Sequence, residues 1–161
     1  WMNLTEDSQT AEPAILKPKD TQQEQHAWIS LFLAWGIAVV STLGALFVGE
    51  VMGQTPCVVC WYQRAFMFPL AIILGVAAFR SDFTAWRYSI PLAGIGALLA
   101  LYHSLIYVGV ISETLSPCSR GISCASEDMV VLGLLPLPIL SLGSFLAIAA
   151  LIYFSKRRAA S

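Results

Sequence analysis

Two pairs of cysteines are the residues here most able to do chemistry. The first lies in Thr55-Pro56-Cys57-Val58-Val59-Cys60-Trp61-Tyr62-Gln63-Arg64, and the second in Ser116-Pro117-Cys118-Ser119-Arg120-Gly121-Ile122-Ser123-Cys124. A C-x-x-C pair serves as half of a zinc site, as a structural disulfide, as two free thiols, or as a redox dithiol. A two-residue ring is a poor staple, because closing so short a loop removes little unfolded-chain entropy. A Cys₄ zinc site would need both pairs, and C-x₅-C is a loose spacing for it. Redox use fits the position better. Cys60 opens a long apolar run, where a helix N-terminus with its unpaired N–H groups favours a thiolate. Arg64 follows four residues later on the same helix face, close enough for its cation to lower a thiol pKa. Arg64 also reads as a residue that only marks a membrane interface by snorkelling, although an arginine just inside a span is a functional candidate.

The second pair sits in a polar turn built from Pro117, Gly121 and serines. It reads either as a clamp on that loop or as an exchange disulfide open to attack by a thiolate arriving from water. Electrons from a soluble dithiol protein would enter at Cys118 and Cys124 and leave through Cys57 and Cys60. The acceptor would then have to be soluble in lipid, and a quinone is a diffusible two-electron carrier of that kind.

These cysteines must be held by membrane helices. The chain has 161 residues, of which 57% are hydrophobic and 12% charged, against about 25% charged in an ordinary soluble domain. Apolar runs cover about 28–49, 61–79, 88–111 and 130–154. Each approaches or exceeds the roughly 20 residues a helix needs to cross the hydrocarbon layer. The expected fold is an all-α integral membrane four-helix bundle. Residues 1–27 are polar and read as a disordered cytoplasmic tail without the layout of a cleavable signal peptide. Residues 155–161 read as a basic cytoplasmic tail.

Four spans put both termini on one side. Lys17, Lys19, Arg80, Arg87, Lys156, Arg157 and Arg158 fall there, while Arg64 and Arg120 fall on the other. Basic residues mark the cytoplasmic side, so all four cysteines are expected outside it, where disulfides persist. A net charge of −1 gives no sign of nucleic acid binding. His103 lies in the outer half of the third run; it reads equally as a quinone or proton contact and as a packing hydrogen bond through Ser104 or Tyr107. Gly94, Gly96 and Ala97 read as sites of close helix contact.

From about Trp28 onward the chain resembles the DsbB family of disulfide bond formation proteins. The resemblance rests on four spans, C-x-x-C opening the second, Arg64 four residues after Cys60, a cysteine pair in the last outer loop, and Leu132-Gly133-Leu134 followed by prolines. It implies a quinone-dependent protein-disulfide oxidoreductase in a bacterial inner membrane, with its cysteine loops on the periplasmic or extracytoplasmic side. It also implies roles. Cys118 would form the mixed disulfide with a thioredoxin-fold, DsbA-like partner and Cys124 would be its mate, giving Cys118–Cys124 and Cys57–Cys60 disulfides. Cys60 would meet the quinone, ubiquinone or menaquinone, with Arg64 in support and His103 as a further contact.

Two features depart from the best-known members: the second pair is more compact, and Gln63 stands where an acidic residue is frequent. Other readings are a vitamin K epoxide reductase-like oxidase, whose C-x-x-C follows its loop cysteines rather than preceding them, and a metal-handling or structural membrane protein with two non-catalytic cysteine pairs.

Overall fold

The computed structural model describes residues 18–53, 56–111, 130–131 and 135–159. Helix α1 spans Pro18–Leu46 and continues as a π-helical turn, Phe47–Val51. Helix α2 spans Val58–Arg80, and a 3₁₀ turn at Phe83–Ala85 leads into α3, Trp86–Tyr107. A two-residue antiparallel pairing of β1 (Val130–Val131) with β2 (Leu135–Pro136) precedes α4, Leu137–Ala159. All four helices are long and apolar enough to cross a membrane, and the fold is an all-α transmembrane bundle.

Each helix turns one narrow stripe inward. The buried positions include Ala27, Leu31, Ala34 and Ala38 on α1, and Val59, Gln63, Met67, Leu70 and Leu74 on α2. On α3 they include Ser89, Ala93, Ala100 and His103, and on α4 Phe145, Ile148, Ile152 and Ser155. Steps of three and four residues keep such positions on one helix face. The other faces carry large exposed apolar side chains, among them Leu33, Val40, Ile72, Phe79, Leu98 and Leu146. In water these would cost solvation energy, and in lipid they are solvated by acyl chains.

Close packing depends on small residues. A Cβ on Gly96 would fall 2.2 Å from the Phe145 ring, and one on Gly75 would fall 2.8 Å from Trp35 Nε1. Gly96 is therefore the seat of a close α3–α4 contact, whereas Gly94 has nothing within 4 Å of its Cβ position.

Two helix limits differ from the apolar runs. Helix α1 begins ten residues before Trp28, because Pro18 suits the first helical position and the Lys, Gln and Glu residues after it are good helix formers. Helix α4 begins at Leu137 rather than Val130, since hydropathy does not distinguish a short apolar pairing from a helical turn. It runs on to Ala159, where Lys156, Arg157 and Arg158 complement the negative end of the helix.

One end of the bundle is tied together by polar contacts. Trp28 Nε1 donates to Ala78 O at 2.9 Å, Ser155 Oγ donates to Ala27 O at 2.9 Å, and the Lys156 ammonium lies 3.6 Å from the Trp86 ring centroid. These bonds join the start of α1, the end of α2, the start of α3 and the end of α4. The opposite end holds the start of α2 and the end of α3.

Candidate redox site

At that opposite end Cys57 is the N-cap of α2. Its extended backbone (φ −66°, ψ 166°) turns the side chain back, so that Sγ accepts from the Cys60 backbone N–H at 3.3 Å. A helix-start N–H of the kind expected to favour a Cys60 thiolate thus serves Cys57. Both cysteines are free thiols whose sulfurs lie 2.8 Å apart. Cys57 is 2% exposed and packs with Val59 and Ile106, while Cys60 is half-buried at the rim of the same cluster. Beside Cys60, the Trp61 and Tyr62 side chains are more than half exposed.

His103, 1% exposed, stands on α3 with Nε2 3.7 Å from Cys57 Sγ. Its Nδ1 lies 3.2 Å from the Gln63 side-chain nitrogen. Ser141 Oγ donates to Gln63 Oε1 at 2.9 Å and also reaches Pro138 O at 3.0 Å. Three helices therefore meet in one polar chain that ends on a cysteine. Cys57 precedes the span, and its thiol is held well below the ordinary range. The Cys60 side-chain hydrogen bond is the largest cause; burial works against it, and the His103 contact and the Cys60 amide add to it.

Arg64 points elsewhere. Its guanidinium donates to Ala45 O near the end of α1 and lies 5.6 Å from the Trp61 ring centroid. The carbonyl end of a helix carries partial negative charge, which gives this cation a resting place. Gly49 makes room for it, since a Cβ there would sit 2.9 Å from Nη2. The π turn widens the helix at this point, as such turns commonly do beside functional sites.

The donor atoms of Cys57, Cys60 and His103 all lie within 4.8 Å of one another. In a tetrahedral zinc site with Zn–S near 2.3 Å, two sulfurs stand about 3.8 Å apart. The 2.8 Å contact is tighter and suits sulfur–sulfur chemistry better than a shared metal. The residues around Cys60 that could hold a quinone are the exposed Trp61 and Tyr62 rings and the Arg64 guanidinium. A guanidinium carries five N–H donors, more than the Ala45 carbonyl can use.

Cys57, Cys60 and His103 are thus brought together, and Arg64 lies one turn along α2. Cys118 and Cys124, and the disulfide expected between them, lie outside the described residues. Sequence reasoning did not place Gln63 or Ser141 in the site. The available signal for Gln63 was its position between Val59 and Met67 on a buried stripe.

Comparison with known proteins identifies the family. The family model described as "Disulfide bond formation protein DsbB" matches residues 25–155. A "Probable disulfide formation protein" of Metapseudomonas resinovorans is 54% identical over 132 residues, covering 81% of this chain and 92% of that protein. A "Probable disulfide formation protein C 1" of Bacillus anthracis is 40% identical, covering 79% of this chain and 91% of its own length. A "Disulfide bond formation protein C" of Bacillus subtilis is 34% identical, covering 74% and 87%. No solved structure matches the chain. The chain is a multi-pass membrane protein that belongs to the DsbB family of disulfide bond formation proteins, with a disulfide oxidoreductase role.

Proposed function

We propose that this protein reoxidises a thioredoxin-fold, DsbA-like dithiol protein outside the cytoplasm and delivers the two electrons to a membrane quinone. The observation that carries the reading is the pair of sulfurs 2.8 Å apart at the mouth of the bundle, with Cys57 buried on His103 and Cys60 facing the apolar rim. Arg80, Arg87, Lys156, Arg157 and Arg158 belong to the opposite end, which supports a cytoplasmic position for that end and an outer position for the cysteines.

The partner's thiolate attacks the Cys118–Cys124 disulfide at Cys118, and a second partner thiol resolves the mixed disulfide. The partner leaves oxidised, and the loop pair is left as two thiols. Exchange with the Cys57–Cys60 disulfide then moves the reducing equivalents to the buried pair. Re-forming the Cys57–Cys60 bond releases two electrons and two protons. A quinone held beside Cys60 and Arg64 would supply the acceptor for both, so the cofactor would carry the redox chemistry while the protein positions it. Cys60 faces that acceptor, and Arg64 holds positive charge beside it. His103 steadies the Cys57 thiolate.

The test is a reconstituted system with reduced DsbA-like protein and ubiquinone or menaquinone. Partner oxidation should require quinone, and Cys118→Ala should abolish partner coupling. Partner oxidation that proceeds equally well without quinone would reject the reading.

A further inference from the structure

The polar chain that ends on Cys57 has a direction. Ser141 Oγ–H donates to Gln63 Oε1 at 2.9 Å, which leaves the Gln63 NH₂ group facing His103 Nδ1 at 3.2 Å. An amide nitrogen only donates, so Nδ1 must accept. A neutral imidazole that accepts at Nδ1 carries its proton on Nε2, and that nitrogen lies 3.7 Å from Cys57 Sγ. We propose that Gln63 is a positioning residue that locks His103 in the Nε2–H form, so that the ring presents an N–H donor to the Cys57 sulfur throughout the redox cycle.

The lock rests on two buried residues of neighbouring helices, Gln63 at 8% and His103 at 1% exposure. A buried amide keeps its partners because losing one costs its full desolvation; the Ser141 hydroxyl has one proton and two acceptors in reach, Gln63 Oε1 at 2.9 Å and Pro138 O at 3.0 Å, and the chain runs toward Cys57 when that proton goes to Gln63. Among the described residues the titratable groups facing Cys57 are Cys60 and His103, and Ser141 on α4 adds no charge. The consequence is chemical. A histidine in this state acts toward Cys57 as a hydrogen-bond donor that stabilises a thiolate, and it has no lone pair there with which to take a proton as a base. A carboxylate at position 63 would do the opposite at Nδ1. It would draw a proton onto that nitrogen, giving either an imidazolium or a neutral ring whose Nε2 lone pair faces the sulfur.

The inference rests on Cys57 being half of the redox pair, and its test needs neither quinone nor partner. Loss of quinone turnover would therefore leave the tautomer result standing, and a wrong tautomer would leave the electron route untouched. The chain has two histidines, so ¹⁵N-histidine NMR of the reduced protein in nanodiscs, with His26→Gln for assignment, resolves the His103 ring. The expected spectrum has a pyrrole-like Nε2 and a pyridine-like Nδ1. Gln63→Glu should turn Nδ1 pyrrole-like. Gln63→Leu should give averaged resonances and raise the pH at which Cys57 is half thiolate by up to about one unit, the effect of one weakened charged hydrogen bond. A proton on Nδ1 in the unsubstituted protein, or an unchanged Nε2–H form in Gln63→Leu, overturns the proposal.

Discussion

Replacing His103 by leucine should raise the pKa of Cys57 by about one unit. A hydrogen bond to a charged group contributes about 1.5–3 kcal/mol, and the 3.7 Å separation of Nε2 from Sγ argues for the lower value. One pKa unit corresponds to 1.36 kcal/mol, so the lower value converts to about one unit and an approximately tenfold smaller thiolate fraction below the midpoint. The upper limit follows from the other groups at Cys57: the Cys60 side chain and the Cys60 amide remain and still hold the thiol low. The assay is thiolate ultraviolet absorbance against pH. It is made on protein carrying Cys60→Ser, Cys118→Ser and Cys124→Ser, where the serine hydroxyl keeps a donor beside Cys57. Near-ultraviolet circular dichroism confirms folding, since His103→Leu also deprives the buried Gln63 amide of its acceptor. The sign is definite: removing a donor from a thiolate moves the midpoint up, and the difference between variants vanishes at high pH. A midpoint that stays put, or moves down, refutes the assignment of His103 as a thiolate donor.

Arg64→Ala should raise the KM for quinone about tenfold while leaving the KM for the partner unchanged, the loss expected for one charge-assisted contact; steady-state titration of each substrate checks it. Gly96→Ala should destabilise the bundle by about 1–3 kcal/mol or more, since its methyl would fall 2.2 Å from Phe145 in a packed core. Gly94→Ala, with nothing within 4 Å, should be tolerated, and unfolding in mixed micelles compares the two. Ser81 ends α2 with φ +51° and is exposed. Ser81→Gly should therefore stabilise the protein by up to about 1 kcal/mol in the same assay, because a side chain in the left-handed region costs about 1–2 kcal/mol and glycine's extra unfolded-state freedom offsets part of the gain.

The bundle was legible because lipid leaves few choices. Four apolar runs of sufficient length must be helices, and only their limits were open. Those limits moved where polar residues such as Gln22 and Glu24 continued a helix, and where Val130 and Val131 were apolar without being helical. Cys57, Cys60 and Arg64 could be placed from spacing alone, since they share one helix start. The partners of Gln63 and Ser141 could not, because 78 residues separate the two and only the packing of α2 against α4 brings them together. The aim of Arg64 was missed for a related reason. Its register with Cys60 was visible, but the competing carbonyl of Ala45 lies on another helix.

The most direct test of the central claim counts electrons. In proteoliposomes, each disulfide formed in the partner should be matched by one quinol, and serine at both Cys57 and Cys60 should bring both counts to background. Continued quinol formation in that double variant, or partner oxidation without matching quinol in the unsubstituted protein, would contradict the account.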